Sequence, residues 1–111
     1  VIEKVEAFAA AQKRLVLYVL SYSPHNIQRY LEKGDRFDRP LVDFLEERRL
    51  PYVDLLKAHA ADYARYRVAP AENLARYFIG HYNPAGNFFC AFAMKGKLVE
   101  MLDPKPPAYT R

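Results

Sequence analysis

Cysteine occurs once in the 111 residues, so the chain cannot form a disulfide framework and has no cysteine-rich zinc set. Cys90 stands in Asn87-Phe88-Phe89-Cys90-Ala91-Phe92, an apolar helical setting in which a thiol acts as a small hydrophobe. Long apolar runs are missing too. The longest, Leu15 to Leu20, falls far short of the ~20 residues a membrane-spanning helix needs, and no charged region with a cleavage site precedes it. No membrane partner is expected. Blocks of one charge are absent: the formal charge is +4 and the isoelectric point about 9.2. Even so, Arg14, Arg29, Arg39, Lys57, Arg76, Lys95 and Lys105 are dispersed among acids, which argues against a nucleic-acid partner. Arg48-Arg49, the densest basic pair, follows Glu46-Glu47 and reads as a solvated helix end, where cations complement the macrodipole.

What the chain does have is 51% hydrophobic and 14% aromatic residues, enough for one modest domain. Ile2, Val5, Phe8 and Ala9 recur at helical spacing, and Lys13-Arg14 separates that helix from Leu15-Val16-Leu17-Tyr18-Val19-Leu20. A continuously apolar strand is what a parallel sheet covered on both faces produces, so this segment is expected to be buried on both sides. Ser23 offers a helix N-cap, Pro24 an N1 residue and Gly34 a stop. Asp38 is placed to cap a helix with the apolar stripe Leu41, Val42, Phe44 and Leu45, which Pro51 ends.

Tyr52-Val53-Asp54-Leu55-Leu56 predicts a second short strand, followed by an alanine-rich helix from about Lys57 to Tyr66. Pro70 and Glu72 open another helix, expected to run through Leu74, Tyr77 and Phe78 and to end at a left-handed Gly80. Asn83 and Pro84 supply cap and N1 for a last helix that places Phe88, Phe92, Val99 and Leu102 on one face, with Gly96 as a point of weakness. Asp103-Pro104-Lys105-Pro106-Pro107 ends it. Strands alternating with helices give an α/β class with few parallel strands flanked by helices. The expected division is one domain portion over 1–103 and an extended proline-rich tail over 104–111. Two strands make an unfinished sheet, and its open edges call for the remainder of the domain N-terminal to Val1, or for a second copy in a homo-dimer.

Three histidines are candidates for chemistry. His25, in a first helical turn, and His59, in the alanine-rich helix, read as structural or merely exposed, and neither makes a metal pair. His81 differs, because it lies in a tight loop between Gly80 and Asn83-Pro84, where flanking elements would hold the imidazole as a general base requires.

The order of helix, apolar strand ending in Leu20-Ser21-Tyr22-Ser23, helix, short strand Tyr52-Val53-Asp54-Leu55, and then His81-Tyr82-Asn83-Pro84-Ala85-Gly86 before a closing helix resembles the C-terminal half of SGNH (GDSL-like) hydrolases. His81, Asn83 and Gly86 match the family's final His-x-Asn block, and the similarity covers most of the chain but only the later half of the family's domain. The resemblance implies a partial three-layer α/β/α fold of the flavodoxin-like kind. It also implies hydrolysis of a small-molecule or carbohydrate ester through a serine nucleophile with His81 as general base, and no cofactor.

Two departures stand out. No Gly-Asp-Ser motif is present; Gly34-Asp35-Arg36, the nearest string, puts arginine where the nucleophile belongs and reads as a helix C-cap and turn. The family's acid, three residues before the histidine, is replaced by Phe78, and Ile79 follows it. Loss of that carboxylate from a triad costs ~10⁴ in turnover. Asp54 is a substitute candidate because ligand sites of open parallel sheets form beyond the strands' carboxyl ends; a capping role is the plainer reading of it. Asp62 and Glu72 are weaker candidates, and Asn83 is a support candidate beside His81.

Tyr63, Tyr66, Tyr77, Tyr82 and Phe88 offer an aromatic lining for an acyl or sugar group, although aromatics at helical spacing, Tyr63, Tyr77 and Phe88 among them, read first as core. The leading expectation is an esterase fragment that carries the base but not the nucleophile, inactive alone. The alternative is a non-catalytic α/β interaction domain that retains the hydrolase scaffold. A flavodoxin-like or receiver-like phosphate binder fits less well, since Ser21-Tyr22-Ser23-Pro24 lacks the glycines of a phosphate loop.

Overall fold

Residues 1–102 are described by a computed structural model, and the predicted tail over 104–111 lies outside them. Helix α1 spans Ile2–Ala11 and leads to strand β1, Tyr18–Leu20, which is followed by α2, Pro24–Lys33, and α3, Arg39–Glu47. Strand β2, Tyr52–Asp54, runs directly into α4, Leu55–Tyr63. Next come α5, Pro70–Ala75, the two-residue strands β3, Phe78–Ile79, and β4, His81–Tyr82, and the long helix α6, Pro84–Met101.

β1 and β2 pair in parallel, with Tyr18 opposite Tyr52, Val19 opposite Val53 and Leu20 opposite Asp54. The mixed helix and strand content and this parallel pair fit the α/β class read from the sequence. The strand itself is shorter than its apolar run. Leu15 to Leu17 precede it, Leu15 is exposed, and Val19 in its middle is 38% exposed, so β1 is not buried on both faces. The reason is that β2 is its one strand neighbour among the described residues, and β2 lasts three residues.

β2 stops where Asp54 turns its side chain back on the chain. Its Oδ1 accepts from the backbone N–H of Leu56 at 3.0 Å, an N-cap that makes Leu55 and Leu56 the first turn of α4 instead of the end of a strand. Ser23 caps α2 by accepting from Asn26 N–H at 3.3 Å, and Gly34 closes it in the left-handed region at φ +73°. Asp38 stands at the N-cap position of α3, but its carboxylate makes no cap bond.

Ile27 of α2, Leu55 and Leu56 of α4, Leu74 of α5, Phe78 of β3 and Tyr22 form the buried core, with Leu20, Leu31, Val53, Tyr77 and Tyr82 packed around it. Full burial of such aliphatic side chains contributes about 1.5–3 kcal/mol each. α5 ends at Ala75, so Phe78 belongs not to a helix but to a strand, antiparallel to β4 with Phe78 opposite Tyr82 and Ile79 opposite His81. α6 passes through Gly96 without a break, and the face carrying Phe88, Phe92, Val99 and Leu102 is exposed rather than core.

Candidate functional site

The chain reaches His81 through a hairpin. Gly80, at φ +84°, joins β3 to β4, a backbone conformation that a residue with a Cβ adopts at a cost. Gly80 is therefore left-handed as expected, but it serves a strand turn and not a helix end. Asn83 then fastens the return of the chain: its N–H donates to the Tyr77 carbonyl at 2.8 Å, its Nδ2 donates to the Arg76 carbonyl at 3.0 Å, and its Oδ1 accepts from Gly86 N–H at 2.8 Å to cap α6. Gly86 has its own requirement, since a Cβ there would stand 2.3 Å from the Tyr77 carbonyl oxygen and 2.4 Å from Tyr82 Cδ1. The His-x-Asn-x-x-Gly spacing thus has a mechanical meaning here. Asparagine closes the turn on the glycine, and the glycine lets helix and Tyr82 ring touch.

His81 itself is exposed, and its Nδ1 lies 2.8 Å from the carbonyl oxygen of Tyr82. A carbonyl accepts, so Nδ1 carries the proton in this bond, and in the neutral ring the lone pair is then on Nε2. The neighbouring Tyr82 ring points inward. It stacks on Phe78 at 4.2 Å between centroids, and its hydroxyl lies 2.8 Å from Nε2 of His59. His59 is fully buried, with its ring 4.4 Å from that of Phe89. Burial pushes its pKa down to about 4, against the opposing pull of Asp62. It is therefore neutral across the ordinary range. Burial likewise pushes the Tyr82 hydroxyl up, with the Cys90 thiol adding to the effect.

No family model, curated protein or solved structure matches the chain.

A second polar group gathers where β1 and β2 end. Arg36 donates from Nε to Asp38 at 2.8 Å, from Nη1 to Asp54 at 2.7 Å, and from Nη2 to the Tyr22 hydroxyl at 3.0 Å and to Asp38 at 3.2 Å. The Tyr22 hydroxyl in turn donates to Asp38. The side chains are nearly out of water, at 2% exposure for Arg36, 7% for Asp38 and 5% for Asp54. Burial works to raise the Asp38 pKa, but hydrogen bonds from Arg36 and Tyr22 outweigh it and hold the carboxyl below its usual range. Two carboxylates thus share one guanidinium. Beside them lies a cavity of about 280 Å³ lined by Asn26, Arg29, Asp35, Arg36, Phe37 and Leu56, and not by His81.

The residues singled out in the sequence are therefore distributed over two places. His81 and Asn83 share one turn, whereas Asp54 has its oxygens engaged by Arg36 and by the Leu56 N–H. Asp62 is half-buried and accepts from the Tyr77 hydroxyl at 2.9 Å, and Glu72 and His25 are exposed. Two residues carry more than their sequence context conveyed. Arg36 looked like part of a turn. His59 sits three and four residues after Leu56 and Leu55, and that spacing was the signal that it shares their buried face.

Proposed function

We propose that this chain is the C-terminal portion of an SGNH-like serine esterase or acyl-ester hydrolase, with a partial three-layer α/β/α fold and His81 as its general base. One observation carries the reading: the exposed imidazole has Nδ1 held by a main-chain carbonyl, which leaves Nε2 as the proton acceptor. A serine hydroxyl is a weak nucleophile until a base of that tautomer takes its proton. In this reading the Tyr82 carbonyl does the orienting that a carboxylate three residues upstream would do, and Phe78 is free to pack.

The serine and the donors to its oxyanion belong, in this proposal, to residues N-terminal to Val1. Support comes from the sheet, whose two strands have open outer edges among the described residues, and from Val19, Phe88 and Phe92, which are left exposed. A two-stranded sheet is marginal by itself. In the proposed reaction the serine oxygen attacks the ester carbonyl carbon as its proton passes to Nε2. The tetrahedral intermediate then expels the alcohol, which takes that proton, and water repeats the sequence to free the acid. No cofactor takes part. A small-molecule or carbohydrate ester is the substrate class.

The test is hydrolysis of p-nitrophenyl acetate by the full-length gene product. His81→Ala should abolish turnover, and unchanged turnover would remove His81 from the mechanism. The isolated chain should show no more hydrolysis than its His81→Ala variant, and clear serine-dependent turnover by it would overturn the fragment reading.

One feature favours a second reading, an interaction domain retaining the scaffold: Phe78, in the acid's usual place, is buried in the aromatic core instead of lining an open site. A Gly-Asp-Ser segment after an apolar strand upstream of Val1 would decide for the enzyme. Its absence would decide for the interaction domain.

A further inference from the structure

We infer that His59 is a positioning residue for His81, acting through Tyr82. The inference rests on the hydrolase reading for its catalytic consequence, but the geometry behind it is independent of any substrate. Tyr82 bonds to both His59 and His81: its side-chain hydroxyl meets Nε2 of His59 at 2.8 Å, and its main-chain carbonyl meets Nδ1 of His81 at 2.8 Å. β4, which consists of His81 and Tyr82, pairs along two residues only, so its ladder alone holds the carbonyl loosely. What fixes it is the ring. Phe78 stacks on one side, Gly86 approaches so closely that no Cβ fits, and the hydroxyl is tied to a fully buried histidine on α4.

The hydrogen bonds have a preferred sense. Nδ1 of His59 meets no partner among the described residues, and a buried N–H without an acceptor costs more than a bare lone pair. The favoured tautomer therefore carries its proton on Nε2 and donates it to the Tyr82 oxygen. The Tyr82 hydroxyl is then free to donate onward, and the Cys90 thiol is beside it. A buried donor, a tyrosine and a carbonyl thus run from the core to the exposed ring, and the last link selects the His81 tautomer.

Three variants test this, with the imidazole nitrogens of His81 read by long-range proton–nitrogen correlation and retention of fold by circular dichroism. Tyr82→Phe keeps the ring and removes the bond to His59. His59→Leu removes the donor, and His59→Gln replaces Nε2–H with an amide N–H. In the unsubstituted chain His81 should be predominantly the Nδ1–H form; Tyr82→Phe and His59→Leu should lose that preference, and His59→Gln should restore it. In the full-length protein the same two losses should lower kcat on p-nitrophenyl acetate by about 10- to 100-fold at unchanged KM, a loss of the size that removal of an orienting partner causes at metal-binding histidines.

An unchanged His81 tautomer in folded Tyr82→Phe overturns the inference. Should His59→Leu unfold, Tyr82→Phe and His59→Gln still decide it. A tautomer shift without any ester hydrolysis by the full-length protein upholds the positioning and sinks only the esterase reading.

Discussion

Arg36 and Asp54, eighteen residues apart, meet through a 2.7 Å bond from Nη1 to Oδ2 with both side chains almost wholly out of water. The bond ties the turn after α2 to the end of β2. Removing Arg36 would leave Asp38 and Asp54 as buried carboxylates without their cation. Breaking a buried pair in this way costs about 3–5 kcal/mol, a large share of the roughly 5–15 kcal/mol that holds a domain together. Arg36→Met should therefore move the urea midpoint sharply downward, and Arg36→Lys should recover little, because an ammonium cannot reach both carboxylates and Tyr22 in the planar fork geometry. A midpoint within experimental error of the unsubstituted chain would show the cluster to be dispensable.

His59 makes stability depend on pH in a definite direction. Its folded pKa is depressed by burial to about 4, from the ordinary 6.5, so between those values the unfolded chain binds a proton that the folded chain refuses. Stability should accordingly be full above about pH 6.5 and fall by up to about 3 kcal/mol as pH drops towards 4. His59→Gln cannot titrate and should lose this part of the slope. Thermal melts of both proteins at about pH 7 and about pH 4.5 measure it. Parallel losses in the two would mean that other groups, Asp38 with its lowered pKa first among them, carry the acid sensitivity.

Local signals were readable and distant ones were not. Ser23, Gly34 and the Asn83-Pro84 pair act within one turn of themselves, and each marks the helix end its neighbours needed. Tyr52 to Leu56 reads as one short strand, and periodicity cannot separate a strand from the buried start of a helix over so few residues. What divides it is the Asp54 carboxylate, which bonds backward to Leu56 N–H and sideways to Arg36. At the other place, His81 stands out in sequence because glycine and asparagine bracket it. Its acceptor is a main-chain carbonyl, which every residue has, so no residue type could announce it. The partner of His59 lies twenty-three residues away, beyond the reach of any local pattern.

Gly86→Ala tests how closely the start of α6 and the Tyr82 ring are fitted. The added methyl would come within 2.3 Å of the Tyr77 carbonyl oxygen, backbone that is itself fixed by Asn83 N–H, and within 2.4 Å of the Tyr82 ring. Alanine favours a helix by up to about 1 kcal/mol over glycine, so on propensity alone the variant would gain stability. Overpacking typically costs about 1–3 kcal/mol and should outweigh that gain. A net loss in denaturant unfolding, with a changed tyrosine environment in the near-ultraviolet circular dichroism, is the expected result. A net gain would mean that the helix start moves away at little cost.

Phe88 and Phe92 separate a core face from an uncovered one. Their spacing on α6 reads as a buried stripe, yet they are 73% and 67% exposed. A buried phenylalanine cut down to a small residue costs about 3–5 kcal/mol, whereas a surface change away from special features stays within about 0.5 kcal/mol. Phe88→Ser and Phe92→Ser should therefore leave the stability of the isolated chain almost unchanged and raise its solubility. If the face is covered by the rest of the domain, the same pair of changes in the full-length protein should cost several-fold more than in the isolated chain. If a second copy covers it instead, the isolated chain should sediment as a dimer and the variants as monomers. Equal, small effects in both settings, with a monomer throughout, would leave α6 a genuinely solvent-facing helix and remove the main support for a missing layer.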